Sequence, residues 1–264
     1  MKKIVIFLCI FLFGTFLFSQ SFSKVGDIIE LSGLSYEENL IKDFSFENNY
    51  LLFRNYDLGL PENKYIIQSY NFTYSTINKL TFLKLDDEDS FLCLANEDLC
   101  ILYDKNSLEP KYIGLSFTEF FNTLSDKNIE ASSELTEGKK IYKASNLCDL
   151  KLASPWVESS RGFGIGEYII FEASASYIYF HNGYVSFDKP YLYTANSRVK
   201  KIKLSFLDEN NRQPLIVDIK DTPNPQKISF GFRSKGKIKM EILDVYPGDK
   251  YQDTCINSII LRIY

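Results

Sequence analysis

In the second half of the chain, apolar and polar positions alternate with a period of two. Ile202, Leu204 and Phe206 are separated by Lys203 and Ser205, and Ile228, Phe230 and Phe232 by Ser229 and Gly231. Ile238, Met240 and Ile242 alternate with Lys239 and Glu241. Successive side chains of a strand point to opposite faces, so this pattern predicts strands with one buried face. Leu215, Val217 and Ile219 line one face of a further strand, and residues 168–171, 177–180 and 256–263 form three more. Turns are expected at Asp208-Glu209-Asn210-Asn211 and at Ser234-Lys235-Gly236. Many short strands at regular spacing predict a sandwich or jelly roll.

The first half is patterned more loosely. Residues 51–53, 65–67 and 80–85 are short strand-like runs, and 91–94 with 99–103 make a hairpin across Ala95-Asn96-Glu97-Asp98. Phe117, Phe120, Phe121 and Leu124 recur at helical spacing, with Ser116 and Glu119 placed to cap the start. These positions predict a short amphipathic helix over 115–124, followed by a polar linker at 125–128. Asp86-Asp87-Glu88-Asp89 lacks the glycine and spaced ligands of a calcium loop and is read as a solvated turn. The expected fold is all-β: a C-terminal jelly-roll β-sandwich at 129–264, preceded by a small β-rich domain with one short helix at 20–128. The 18 Tyr and 22 Phe, against two Met and one Trp, suit pleated, half-buried surfaces.

The first residues change what is counted. Lys2 and Lys3 precede an apolar run from 4 to 18, then Ser19, Gln20 and Ser21, the layout of a signal peptide at 1–19. The run is short for a permanent span, and no second run is long enough to cross a bilayer. Cys9 lies inside the run, so no lipoprotein attachment site is expected. The chain is therefore expected to be exported, to the periplasm, the cell surface or the medium. Cleavage leaves 28 basic against 34 acidic residues, a net charge near −6, which argues against nucleic acid. Four cysteines remain, an even number in an oxidising compartment. If Leu94 pairs with Leu99, Cys93 and Cys100 sit opposite each other, and Cys148 and Cys255 lie near the two ends of the second domain; these two pairs are preferred among the three possible connectivities, with buried free thiols the alternative.

Catalytic chemistry has little to work with. His181 is the single histidine, which excludes a zinc site built on several, and it flanks an Asn182-Gly183 turn. Gly162-Phe163-Gly164-Ile165-Gly166 leads into a strand, whereas a phosphate-binding loop opens a helix. Glu158, Glu167, Asp244 and Asp253 are candidates for a hydrolytic carboxylate pair, but acidic residues are abundant throughout. No enzyme activity, cofactor or metal is expected.

Several short blocks occur in order. They are Ala131-Ser132-Ser133, Asn146-Leu147, Pro155-Trp156-Val157-Glu158, the glycine run from 162, and His181-Asn182-Gly183-Tyr184. Asn196-Ser197-Arg198-Val199-Lys200, Asp244-Val245-Tyr246-Pro247-Gly248 and Tyr251-Gln252-Asp253-Thr254-Cys255-Ile256 follow. The set resembles the discoidin-like domain of bacterial NAD glycohydrolase toxins, a relative of the factor five/eight type C sandwiches. The resemblance covers 130–264 and implies a galactose-binding-like sandwich concerned with translocation and glycan binding. The first half does not resemble the NAD glycohydrolase catalytic domain, so binding rather than NAD cleavage is implied. Asp149 is followed by Leu150 where related sandwiches carry Asp-Gly, which sets that loop apart.

Ligands of such sandwiches sit on loops at one end. Trp156 and Tyr184 are candidates for an aromatic sugar platform, and Glu158, Asn182, Arg198 and Asp253 for hydrogen bonds to hydroxyls. Each has a structural alternative: Trp156 as core, Asn182 as a turn residue, Arg198 paired with Glu167 or Asp253, and Asp253 holding the last turn. The expected partner is a glycan or, alternatively, an envelope protein docking on the same loops or a sheet edge.

Overall fold

The structure, a computed structural model, describes residues 27–30, 40–47, 50–56, 65–85, 89–96, 99–110, 112–115, 121–209 and 211–262. The leader at 1–19, most of the acidic turn near 86–89 and the centre of the helix expected over 115–124 lie outside the described residues.

Eight strands of the first half close into an antiparallel barrel: β1 (Asp27–Glu30), β2 (Leu40–Glu47), β3 (Tyr50–Tyr56), β4 (Tyr65–Ile77), β5 (Leu80–Leu85), β6 (Asp89–Ala95), β7 (Leu99–Asp104) and β8 (Tyr112–Leu115). Each pairs with the next, and β1 pairs with β8, so the sheet has no free edge. Of the helix expected over 115–124, the two described ends, Leu115 and 121–124, are not helical. Residues 112–115 belong to β8, and β9 (Phe121–Thr123) joins the second sheet by pairing with the last strand. A helical period was present, but sheet pairing with a distant partner decided those residues. The expected linker at 125–128 holds a short 3₁₀ turn, Asp126–Asn128, between β9 and β10 (Ile129–Ala131) of one sheet.

The second sheet is built on four strands, β14 (Tyr168–Asn182), β15 (Ser197–Phe206), β17 (Gln226–Tyr246) and β18 (Thr254–Arg262). They pair in a ring, β14–β17–β15–β18 and back to β14. A hairpin of β11 (Thr136–Glu137) and β12 (Lys140–Ile141), then β13 (Trp156–Val157) and β16 (Leu215–Asp218), complete the set. One expected turn is absent, and two expected strands are one. Residues 168–171 and 177–180 lie on one strand, and Ser234-Lys235-Gly236 continues the ladder opposite Ala173, Ser174 and Ala175. The single α-helix described, α1 (Leu192–Ala195), lies in a loop.

The alternation read from the sequence fills the ring. Ile202, Leu204, Phe206, Ile228, Phe230, Ile238, Met240 and Ile242 are buried in one apolar core with Trp156 and Phe171. Burial of each large apolar side chain contributes about 1.5–3 kcal/mol. A second cluster joins the two halves. Leu80, Leu92, Leu94, Leu99, Ile101 and Tyr103 of the barrel pack against Tyr177, Tyr179, Val185, Tyr193 and Ile260. Polar links run beside it. The Ala95 amide donates to Asn224 Oδ1 at 3.2 Å, Asn96 Nδ2 to Pro225 O at 2.7 Å, and the Tyr103 hydroxyl to Leu150 O at 2.8 Å.

The four described cysteines, Cys93, Cys100, Cys148 and Cys255, are free thiols in the structure. The β6–β7 pairing places Cys93 opposite Leu102 and Cys100 opposite Ala95, a register two positions from the Leu94–Leu99 pairing expected. Cys93 and Cys100 are therefore diagonal neighbours, Sγ to Sγ 3.7 Å. Cys148 and Cys255 are buried in separate apolar clusters.

Candidate functional site

The start of β18 organises one end of the ring. Trp156 pairs with Ile256, Asn182 with Ile256 from the other side, and Arg198 with Cys255. The Glu158 amide donates to Thr254 O, and the Gly183 amide to Cys255 O. The six residues singled out from the sequence therefore lie around one short segment. Most of them face inward.

Trp156 is 0% exposed; it belongs to the core, and its indole N–H donates to Ser133 O at 2.9 Å. Of its two possible roles, geometry leaves the core one. Glu158 is buried too: Oε1 accepts from the Thr254 amide at 3.0 Å, and Oε2 from Ser160 N and Oγ, both 2.7 Å. Gly164 (φ 69°) lies against it, and a Cβ there would come 2.6 Å from Glu158 Cγ. The glycine run thus closes over a buried carboxylate. Asn182 bridges strands, donating to Val199 O at 2.7 Å and accepting from Val199 N at 2.9 Å. Gly183 (φ 79°) turns the chain where a Cβ would meet the Tyr193 ring at 2.6 Å.

Arg198 pairs with neither Glu167 nor Asp253. Its Nε and Nη2 donate to Asp221 Oδ1 and Oδ2 at 3.1 and 2.9 Å. Its Nη1 donates to Thr194 O, Asn196 O and Pro247 O at 3.2, 2.8 and 3.2 Å. Burial alone would raise the Asp221 carboxyl, but hydrogen bonds from Arg198 and Lys79 hold it below the usual carboxylate range. Glu167 instead accepts from Ser132 and Ser133, and Asp244 pairs with Lys200 at 2.7 Å. Of the four carboxylates considered for hydrolysis, three are thus tied into bracing contacts.

Of the other two predicted residues, Tyr184 is 8% exposed and packs with Tyr142, Val157 and Cys255, so its ring is not an open sugar platform, and only Asp253 reaches the surface edge. The Tyr184 hydroxyl donates to Ala153 O at 3.1 Å and accepts from Lys140 Nζ at 3.2 Å. Lys140 Nζ also lies 4.5 Å from the Tyr142 ring centroid, within reach of a cation–π contact. Asp253 is half-buried beside Glu137, and burial followed by that neighbouring carboxylate raises its carboxyl. Its backbone does hold the turn, its carbonyl accepting from Ser197 N at 3.0 Å.

The exposed aromatic residues of this end are ones the sequence did not single out. Tyr191 is 49% and Tyr251 37% exposed. Their loops are locked together by main chain: Lys250 N and Tyr251 N both donate to Ala195 O, at 3.1 and 2.8 Å, and Asp249 N to Thr194 O at 3.0 Å. Lys250 Nζ sits 4.9 Å from the Tyr251 ring centroid. A signal was present: Tyr191 follows Lys189-Pro190, and Tyr251 follows Pro247-Gly248, so both are aromatic side chains inside turn-forming segments. Towards the other end of β18, a polar cleft of about 580 Å³ is lined by Leu124, Ser125, Asp126, Ser145, Asn146, Cys148 and Asp149. It offers no aromatic face. Among the described residues no cluster of His, Cys, Asp or Glu fits a metal ion, and no helix is long and apolar enough to cross a membrane.

A ring of long strands with its loops gathered at one end is a discoidin-like, galactose-binding-like β-sandwich. The chain belongs to the NAD glycohydrolase translocation F5/8 type C domain family, whose model matches residues 121–262. It therefore carries a binding or translocation-type module. No curated protein matches the sequence. Among solved structures, the family 32 carbohydrate-binding module of C. perfringens NanJ, in complex with galactose, is 14% identical over 55% of this chain and all of that one, TM-score 0.36. The mycobacterial arabinofuranosyltransferase AftD is 12% identical over 55% of this chain and 11% of its own much longer one, TM-score 0.38. An allantoicase is 8% identical over 92% of this chain and 74% of that one, TM-score 0.32.

Proposed function

We propose that the protein is an exported, non-enzymatic binding protein that takes a carbohydrate on the loop end of its sandwich. The observation that carries this reading is the pair of exposed tyrosines, Tyr191 and Tyr251, on two loops clamped together through Ala195 O. A sugar ring lays its C–H face on such an aromatic surface, and its hydroxyls need nearby donors and acceptors. Lys250 lies over Tyr251, Asp253 follows two residues on, and Lys140 and Glu137 stand beside Asp253 and Tyr184. The loops are prearranged by main-chain hydrogen bonds, which lowers the ordering cost of binding. Each contact contributes about 1 kcal/mol net, so affinity for one sugar falls roughly between micromolar and millimolar. Binding rather than hydrolysis is favoured because Glu158, Glu167 and Asp244 are held in bracing contacts. Export rests on the leader-like residues 1–19.

A glycan array probed with the chain from residue 20 onward tests this. Saturable binding is expected, and Tyr251→Ala should weaken it about fivefold, the loss of one aromatic contact of roughly 1 kcal/mol, with the fold intact. Binding unchanged by Tyr251→Ala would move the site elsewhere; no binding by the folded protein would end the carbohydrate reading. A protein partner is the second reading. It is favoured by β16, which among the described strands pairs only with β15 and leaves Ile216 56% exposed. A partner retained by wild type and lost on Ile216→Lys, irrespective of sugar, would favour it.

A further inference from the structure

One residue of the barrel is held in a backbone conformation it does not favour. The β4–β5 hairpin reverses through Asn78 (φ 49°) and Lys79 (φ 68°), both left-handed. Two-residue turns of this kind favour Asn-Gly, so glycine is the residue expected where Lys79 stands. The lysine side chain leaves the barrel altogether. Its Nζ reaches Asp221 Oδ2 at 2.6 Å and Asp221 O at 3.4 Å, 142 residues away in sequence.

Asp221 is the carboxylate that Arg198 grips with two nitrogens, and Tyr193 donates its hydroxyl to the same carboxylate at 3.3 Å. The remaining nitrogen of Arg198 binds carbonyls on both ligand loops: Thr194 O and Asn196 O on the loop of Tyr191, and Pro247 O on the loop of Tyr251. The contacts are continuous from the barrel turn to the two loops. Asp221 is half-buried, so its charge is screened less than that of a surface pair.

We propose that the barrel sets the geometry of the ligand loops through Lys79, which fixes Asp221 and thereby the grip of Arg198 on the loops of Tyr191 and Tyr251. Lys79 is a positioning residue: it does not reach the ligand surface. This inference rests on the loop end being the binding site. It makes the barrel a control element for that site rather than a passive neighbour.

Lys79→Gly cuts the link while giving the turn the residue it favours, so the hairpin survives. Lys151→Met is the control, because Lys151 pairs with Glu109 of the barrel at 3.3 Å and has no contact with Arg198. Hydrogen exchange by mass spectrometry on the full chain reads the amides of Asp249, Lys250 and Tyr251. Exchange about tenfold faster there in Lys79→Gly and Asp221→Asn, with Lys151→Met unchanged and β14 and β17 unchanged, is the expected result. Unaltered loop exchange in Lys79→Gly overturns the proposal, as does an equal acceleration through β14 and β17, which would make Lys79 a general staple. Retention on galactose–agarose and mannose–agarose is measured in parallel. Faster loop exchange in a protein that no sugar retains leaves the coupling standing and sinks the carbohydrate reading. Retention equal in wild type and Lys79→Gly, with unchanged exchange, does the reverse.

Discussion

His181 is the least expected residue of the molecule. It sits at the end of β14, as its place beside Asn182-Gly183 implied, but it is fully buried, and neither ring nitrogen has a hydrogen-bond partner among the described residues. Its opposite number Ser258 and the adjacent Asn257 are equally buried and unpartnered. Burial lowers the His181 pKa from 6.5 to about 3. The fold therefore prefers the neutral ring, and the unfolded chain takes up the proton first as pH falls. Stability is full above pH 6.5 and declines below it, by about 2 kcal/mol at pH 5. Urea unfolding at pH 7, 6 and 5 should trace that decline, and His181→Leu should flatten it; an unchanged slope would mean the ring is not buried neutral. Other residues show what a sequence conceals. That Arg198 and Glu158 are polar and lie near turns was visible, and both do lie at the loop end. Their inward direction was not visible, because it depends on Asp221 and Thr254, partners brought in by the fold. Trp156 followed the ordinary preference of a lone Trp for the core.

Among the elements, the β6–β7 hairpin was legible to within its register. Both strands form where the apolar runs lie, but pairing extends to Asn96, whose amide donates to Leu99 O at 2.8 Å. The two thiols consequently sit diagonally, at 3.7 Å, and closing them to the roughly 2.05 Å of a disulfide needs only a small shift. Burial, and then Cys93, raises the Cys100 thiol, so the reaction should be slow at neutral pH. Oxidation of the folded protein should remove two hydrogen atoms of mass, link the peptides of Cys93 and Cys100, and fail in Cys93→Ser. Cys148, its thiol pushed up to about 12 chiefly by burial, should be left unmodified. The longest strands were the hardest to read. β14 and β17 each looked like two, because Ser-rich and Gly-containing stretches within them carry turn signals that continuous pairing overrides. The described end of the helix expected over 115–124 went to strand for the same reason: β9 answers to β18, which no local window contains.

On the scale of the whole molecule, the all-β class and the core positions of the second half were legible from alternation alone, whereas the barrel's closure and its seat on the sandwich were not. That seat has a practical consequence. A fragment of residues 129–264 loses β9 and uncovers Tyr177, Tyr179 and Ile260, which the barrel packs against. It should bind an apolar dye such as ANS and self-associate on size exclusion, while the full chain does neither; a monomeric, dye-silent fragment would show that the joint is dispensable. Acid should also weaken the joint: Asp221 is held below its usual range, so its contribution is present at neutral pH and fades as pH drops under about 4. The central place of β18 bears on how the protein comes into being. β9, β13, β14 and β15 all pair with this strand, which the ribosome makes later than any of them. At about 5–20 residues per second, the roughly 140 residues from β9 to β18 leave the ring unclosed for many seconds after its first strand emerges. The early strands of the ring therefore wait without their shared neighbour until β18 has been made, and this half can finish folding only after that.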